Sequence, residues 1–120
     1  MPTTTAARDV ADRFFKAWTS KDFGTARKLL RDDLDFKGPL DSFHRADDYL
    51  AAIQRLAGII KSADIKKELV DGQDVVVIYD MVTNTPAGTA PIAEWYRVEG
   101  DKIAAIRVFF DPRPFAPAPH

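Results

Sequence analysis

Glu94 is the residue whose position most strongly suggests chemistry, because a carboxylate stands there among apolar side chains. In the run from Pro91 to Val98, strand alternation places Glu94 on one face with Ile92, Tyr96 and Val98. A carboxylate in such surroundings is unfavourable unless it is paired or protonated. Two interpretations follow: a strand-edge glutamate that reaches water or pairs with an arginine, or a carboxylic acid that lines a pocket.

Three further polar side chains are candidates for proton transfer or hydrogen bonding. Tyr79 and Asp80 are neighbours in an apolar strand, which places either a phenol or a carboxylate in the interior. We interpret Tyr79 as a candidate pocket hydroxyl and Asp80 as a structural carboxylate that needs a partner, with Arg107 or Arg97 available. His44 has an unperturbed pKa near neutrality, so it could be a general acid or base, and a surface residue at a helix entry is the equal alternative.

Composition argues against several classes of site. The chain has no cysteine, and its two histidines, His44 and His120, are not expected to meet, so we predict no disulfide and no metal site. The sequence shows no glycine-rich phosphate loop and no nucleophile elbow, and we predict no cofactor. Lys and Arg number 17 against 18 Asp and Glu, a net charge of -1, which gives no basic excess for nucleic acid.

The chain is expected to act away from membranes. No apolar run approaches the ~20 residues that span a bilayer. The N-terminal residues lack the cationic and apolar segments of a signal peptide. Together with the absence of cysteine, these features favour a cytoplasmic protein with no membrane partner.

Hydrophobic periodicity predicts the elements that must position these residues. Amphipathic helices are predicted at Ala7–Trp18, with a cap from Thr3, Thr4 or Thr5, at Phe23–Arg31 and at Arg45–Ile60. The third helix has its buried stripe at Tyr49, Leu50, Ile53, Leu56, Ala57 and Ile60. A loop from Leu40 to His44 separates it from the first strand.

Five strands complete the prediction. They are expected at Leu34–Lys37, Ile65–Val70, Val75–Val82, Pro91–Val98 and Ile103–Asp111, the last two forming a hairpin. Helices that precede an antiparallel meander predict an α+β fold, in which a strongly bent, mainly antiparallel sheet wraps three helices and makes a cone with an open mouth. At 120 residues we expect one domain, 1–113, followed by a proline-rich tail, 114–120, that Phe115 could anchor.

Both faces of the predicted hairpin carry large apolar side chains, so both should be covered. If its turn is regular, the face away from Glu94 presents Trp95, Arg97, Arg107 and Phe109. Ile103 and Ala105 share that face, whereas Ala104, Ile106, Val108 and Phe110 share the other. Aromatic residues with arginine are typical of an interface core, which predicts a homodimer. A bulge near residues 99–102 would change which face of the second strand matches the first.

The chain resembles the SnoaL-like group of the nuclear-transport-factor-2-like superfamily. The similar segments are a first helix leading into Lys21-Asp22-Phe23, then LLRDDLDFKGP, and a hairpin that ends in Phe110-Asp111-Pro112-Arg113. That superfamily includes ketosteroid isomerases, polyketide cyclases, limonene epoxide hydrolase and scytalone dehydratase. The resemblance covers Ala7 to Arg113 and implies a cone-shaped α+β barrel with a deep hydrophobic pocket, usually paired as a homodimer through the convex sheet face.

The resemblance carries over the catalytic residues of these enzymes only in part. The base aspartate of ketosteroid isomerases falls on Gly38, and their oxyanion-hole tyrosine falls on Phe14. Their oxyanion-hole aspartic acid falls on Glu94, so the acid remains without the base. The Asp-Arg-Asp set of limonene epoxide hydrolase is also incomplete, because its last-strand acid falls near Val108.

The same resemblance implies which residues surround the cavity. Its walls would be formed by Phe14, Trp18, Phe36, Tyr96, Ile106, Val108 and Phe110. Glu94, with His44 near the cavity mouth, would transfer protons, and Tyr79 or Tyr96 would donate hydrogen bonds. We therefore expect a protein that binds a small apolar molecule bearing a carbonyl or hydroxyl, as an isomerase, cyclase or dehydratase. Whether it is an enzyme stays open, since a non-catalytic ligand-binding module or a dimerisation domain with a collapsed core would carry the same fold.

Overall fold

Three helices precede most of the sheet, as the periodicity predicts. The computed structural model describes residues 4–113, with side chains from Ala7 onward. Its helices are α1, Thr4–Thr19; α2, Phe23–Lys28; and α3, Ala46–Ala57. The predictions for a cap at Thr3 and for the tail at 114–120 lie outside the described residues.

Local sequence explains where the helices begin and end. Asp22 caps α2 by accepting a hydrogen bond from the backbone N–H of Thr25 at 3.2 Å. The helix ends at Lys28 instead of the predicted Arg31, because Leu30 already pairs with Ile103 in the sheet. α3 ends at Ala57, before the β-branched pair Ile59-Ile60, so the predicted continuation to Ile60 is wrong.

The sheet contains six strands in the order β2-β1-β6-β5-β4-β3. Their bounds are β1, Leu30–Lys37; β2, Ser42–Phe43; β3, Ile60–Asp71; β4, Asp74–Thr83; β5, Thr89–Glu99; and β6, Lys102–Phe109. Within residues 4–113, the β1–β6 pair is parallel and the other four strand pairs are antiparallel. The sheet is not closed, since β2 and β3 are its edges, and the predicted α+β architecture with a mainly antiparallel sheet is confirmed.

Two strands begin well before their predicted start, and a third was predicted as loop. β1 begins at Leu30 instead of the predicted Leu34. β3 begins at Ile60, five residues before the predicted Ile65, because Ile60 pairs with Thr83 across the antiparallel ladder. Ser42–Phe43, predicted as loop, forms the short strand β2 against β1, where Phe43 lies opposite Phe36. The rings of these two phenylalanines lie 5.7 Å apart, which ties the predicted loop to the sheet.

A bulge in β6 decides which side chains share a face of the hairpin. Val98 pairs with Ile103, but Arg97 pairs with Ala105, so Ala104 is an extra residue in β6. The prediction that Ile103 shares a face with Ala105 is therefore wrong, because Ile103 is fully buried on the inner face, toward the helices.

Beyond this bulge, the predicted faces are observed. Val108 lies opposite Glu94 on the inner face, and Arg107 lies opposite Trp95 on the outer face. Without the extra residue, Arg107 would instead lie opposite Glu94. The turn itself is regular, with Glu99 opposite Lys102, and the irregularity lies in β6. The predicted face for Trp95 and Arg107 is therefore observed, but it depends on the bulge at Ala104 and not on a regular hairpin.

Candidate functional site

A cavity of about 390 Å³ lies between the helices and the inner face of the sheet. Five predicted lining residues border it: Trp18 of α1, Phe36 of β1, Tyr79 of β4, Val108 of β6 and Phe110 after β6. Glu94 of β5, the predicted acid, also borders the cavity. The volume lies in the range of small-molecule sites, which disfavours the alternative of a dimerisation domain with a collapsed core.

Glu94 lies at the cavity wall with only 3% of its surface exposed. Strand alternation places it there, since every second residue of β5 from Ala90 to Val98 is buried. The Tyr96 hydroxyl donates a hydrogen bond of 2.6 Å to its Oε1 atom, and the Tyr79 hydroxyl also hydrogen-bonds the carboxyl group. Its partners among the described residues are phenols, so the interpretation of Glu94 as an arginine's ion-pair partner is wrong.

The surroundings of Glu94 bring the pKa of its carboxyl group close to neutral pH. Burial raises the pKa of the Glu94 carboxyl to about 7, although the hydrogen bonds from Tyr96 and Tyr79 favour the charged form and lower it. Both protonation states are therefore populated near neutral pH. A group of this kind can donate a proton to a ligand oxygen or accept one.

Two buried polar groups of the cavity wall have no hydrogen-bond partner among the described residues. They are the Tyr49 hydroxyl on α3 and the Trp18 indole Nε1 on α1. Burial, followed by the charge of Glu94, raises the pKa of the Tyr49 phenol well above its usual value, which places Tyr49 in the field of the carboxyl group. No sequence pattern marks Tyr49 as a site residue, because helical spacing predicts it only as part of a buried stripe.

Phe14 and Tyr96, both predicted as lining residues, lie behind the cavity wall. The Phe14 ring packs 5.9 Å from the ring of Tyr96 and 6.4 Å from that of Tyr49. All three are buried. Phe14 and Tyr96 therefore hold Glu94 and Tyr49 in place instead of bordering the cavity.

His44 does not meet Glu94 in the structure. Its side chain is 80% exposed, and its Nδ1 atom lies 3.6 Å from Oδ1 of Asp35. The second oxygen of Asp35 accepts from Arg107 at 2.9 Å, and this bond holds the pKa of Asp35 below its usual value. His44 is not among the residues that border the cavity. Its role in proton transfer stays a prediction that the geometry does not support.

The expected partner of Asp80 is also different. Asp80 is half-buried, with its carboxylate 3.9 Å from Nζ of Lys66. Arg107 pairs with Asp35 and Arg97 with Asp74, so the predicted arginine partners are wrong. A strand whose interior is apolar on both faces does not reveal which side of the sheet Asp80 occupies.

The mouth of the cavity is formed partly by the turn from Gly38 to Asp41. The Gly38 N–H donates to the Asp41 carbonyl at 2.9 Å, and Leu40 in this turn is 49% exposed. A Cβ atom at Gly38 would lie 3.3 Å from Cζ of Phe36, tighter than an ordinary contact. Asp41 and Arg55 of α3 are the charged residues that border the mouth.

The described residues give two further observations about ligands and membranes. Among residues 4–113, no cluster of three or more His, Cys, Asp or Glu side chains could hold a metal ion. No helix within that range is both long enough and apolar enough to cross a bilayer.

Comparison with known sequences identifies one matching family. The family model of the SnoaL-like domain matches residues 11–106, which run from the middle of α1 into β6 and include Glu94. A search of the curated proteins found no match.

Solved structures share the whole fold. A protein from Kribbella flavida DSM 17836 is 30% identical, with a TM-score of 0.86 over 92% of this chain and 91% of that one. An NTF2-like protein of unknown function from Cytophaga hutchinsonii is 28% identical, with a TM-score of 0.81 over 96% and 98%. An LEH-like epoxide hydrolase from M. tuberculosis, 20% identical, has a TM-score of 0.79 over 94% and 88%, which shows similarity of fold alone.

Proposed function

Because this chain belongs to the family of SnoaL-like domains, we propose that its cavity binds a small apolar molecule with a carbonyl or hydroxyl oxygen. The observation that carries the proposal is the buried Glu94 carboxyl at the cavity wall, with its pKa raised to about 7. In its protonated form this acid donates a hydrogen bond to the ligand oxygen. Apolar walls such as Phe36 and Val108 exclude water and hold the rest of the molecule.

The same geometry supports an isomerase, cyclase or dehydratase. All three reactions pass through a stage in which an oxygen gains negative charge or leaves with a proton, and Glu94 supplies that proton. A positioned acid of this kind contributes about 10²–10⁴ in rate. Tyr96 and Tyr79 then stabilise the glutamate anion that remains, because both hydrogen-bond its carboxyl group.

A non-catalytic ligand-binding module is the second candidate, and Gly38 favours it. The residue at this position has no side chain to act as a base, and a larger residue would crowd Phe36. Glu94 would then select the ligand by its oxygen atom without turning it over. In both candidates we propose a homodimer through the outer face of the sheet, where Trp95 is 42% and Phe109 57% exposed.

Binding of matched bicyclic compounds tests the proposal. NMR titration would compare 1-tetralone and 1-tetralol, which carry an oxygen, with tetralin, which lacks it. We expect the two oxygenated compounds to bind about tenfold more tightly than tetralin, because a hydrogen bond to a polar group in a dry site contributes on the order of 1 kcal/mol or more. Equal affinities for all three would overturn the role of Glu94.

A substitution then assigns the preference to one residue. Glu94→Leu replaces the carboxyl group by an apolar side chain of similar size. Tetralin should therefore still bind, while the preference for ligands with an oxygen is lost. Val108→Ile, opposite Glu94 on β6, is the matched control and should keep the preference. Conversion of a bound ketone or alcohol, followed by mass spectrometry, would separate the enzyme from the binding module.

A further inference from the structure

We infer that the ligand is an acid, with an anionic group that Arg55 binds at the mouth of the cavity. This inference rests on the proposed ligand-binding function and adds the chemical class of the outer end of the molecule. Arg55 lies in the last turn of α3, is exposed to solvent and borders the cavity. None of the site residues predicted from the sequence is an arginine at the mouth of the cavity.

Arg55 differs from most arginines of the chain in having no carboxylate partner among the residues that the structure describes. Arginines 8, 13, 27, 31, 97, 107 and 113 each pair with an Asp or Glu side chain. Among the described arginines, only Arg45 and Arg55 lack such an ion pair, and of these two only Arg55 borders the cavity. A guanidinium that is free to bind a carboxylate therefore stands at the rim of an apolar cavity.

The distance between Tyr49 and Arg55 along α3 indicates the length of ligand that the cavity would accept. Tyr49, whose buried hydroxyl has no hydrogen-bond partner among the described residues, and Arg55 are six residues apart on the same helix. At 1.5 Å per residue, about 9 Å of helix separates them. Ala52, Ile53 and Leu56 border the cavity between or beside these two residues. The cavity thus fits a molecule with an apolar body of about two fused rings, an oxygen at its inner end and an anion at its outer end.

Asp41 restricts where that anion can lie. It borders the mouth from the Gly38–Asp41 turn and forms no ion pair within the described part of the chain. Its charge repels an anionic ligand, so the acidic group must lie on the α3 side of the mouth, next to Arg55. Opposite charges on two different elements that border one cavity orient the ligand as well as attract it.

A role for Arg55 in α3 alone is the competing explanation. A cation in the last turn stabilises a helix through its dipole, and this effect does not depend on a ligand. The two explanations differ in what happens when the charge of the ligand changes. Helix stabilisation would affect binding of charged and neutral molecules equally, whereas direct recognition would affect the charged molecule alone.

Two fluorescent probes separate these explanations. 8-Anilinonaphthalene-1-sulfonate and N-phenyl-1-naphthylamine share one ring skeleton, and only the first carries a sulfonate. Both would be titrated against the full chain, Arg55→Gln, Arg55→Lys, Asp41→Asn and the matched control Arg45→Gln. We expect Arg55→Gln to weaken binding of the sulfonate probe about twofold to fivefold, which is the upper range of an exposed ion pair, and to leave binding of the neutral probe unchanged. Arg55→Lys should retain most of the affinity, Asp41→Asn should increase it, and Arg45→Gln should change neither probe.

The outcomes distinguish failure of the inference from failure of the proposed function. Equal effects of Arg55→Gln and Arg45→Gln on the sulfonate probe would overturn the inference and leave the cavity as a neutral ligand site. Ile53→Trp fills the cavity from α3 and should abolish binding of both probes, with Ala52→Phe as the replacement if it does not fold. Probe binding that survives both filling variants would place the probes outside the cavity and overturn the proposed function together with the inference.

Discussion

The Tyr96 hydroxyl donates a hydrogen bond of 2.6 Å to Oε1 of Glu94, two residues earlier on the same face of β5. Both side chains are buried, and the bond favours the ionised form of a carboxyl group whose pKa burial raises to about 7. The strand thus carries an acid together with one of the groups that controls its proton affinity.

Removing the Tyr96 hydroxyl should raise the pKa of Glu94 further. Tyr96→Phe deletes a hydrogen bond that stabilises the carboxylate. The protonated form therefore becomes more stable relative to the charged form. Carbon-detected NMR titration of the glutamate side chains measures the change directly. Tyr79→Phe should shift the pKa in the same direction, and a fall in the Glu94 pKa in either variant would contradict this account.

Stability should decrease as pH rises from about 4.5 to about 7. The pKa of Glu94 is about 7 in the folded chain against 4.5 for an ordinary glutamate, so the folded state binds the extra proton in this interval. The ionised carboxyl then costs about 3 kcal/mol of unfolding free energy above pH 7, at 1.36 kcal/mol per pKa unit. Denaturant unfolding at pH 5 and pH 8 should show this loss in the native chain and a smaller one in Glu94→Gln.

Glu68 contributes to the pH dependence of stability in the same interval, so it needs its own control. Burial, together with Asp12, raises its pKa to about 7, although Arg8 lies 2.8 Å from its Oε1 atom. Glu68→Gln should therefore also reduce the pH dependence of stability. A double variant with both glutamines should be nearly independent of pH between 5 and 8, and an unchanged slope would contradict both assignments.

The outer face of the sheet should hold two copies together. Light scattering at micromolar concentration should give the mass of a dimer, and Trp95→Glu should give the monomer, because a carboxylate would be buried at the centre of the apolar patch. Ile65→Glu is the matched control, since Ile65 is 47% exposed but pairs with Tyr79 of the inner face. A monomeric native chain would exclude the dimer.

Isomerisation of Δ5-3-ketosteroids should be slow. Gly38 stands where a base would be needed, and Phe14 has no hydroxyl to donate to an oxyanion. Each missing group is worth about 10²–10⁴ in rate, so we expect turnover below that of a true ketosteroid isomerase by at least 10². The absorbance of the conjugated product measures it, and fast turnover would mean that another residue acts as the base.

The positions of Glu94 and the main elements could be predicted because strict alternation and helical spacing leave few alternatives. β5 alternates over its whole length, so its inner face, and with it Glu94, follows from the sequence. α1 was predicted from the spacing of residues such as Phe14 and Trp18, which are buried in the structure.

Other features depended on tertiary pairing that no local pattern records. The start of β3 at Ile60 depends on Thr83 across the ladder, and the partner of Asp80 depends on which face of β4 is covered. Tyr49 lies in a buried stripe whatever its hydroxyl does, so only the structure shows that the hydroxyl has no hydrogen-bond partner within residues 4–113. Arg55 was missed for a related reason, because an exposed cation on a helix has no sequence signature that sets it apart from a solvated one.

The extra residue Ala104 keeps the charged side chain of Arg107 away from the carboxyl group of Glu94. By advancing β6 one position relative to β5, it turns the Arg107 guanidinium to the outside, where Asp35 neutralises it, and turns the methyl groups of Val108 toward Glu94. A shortened strand without this residue would bring a permanent cation against the acid and lock it in its charged form. One alanine, with no polar atom in its side chain, therefore determines whether this carboxyl group can carry a proton at neutral pH.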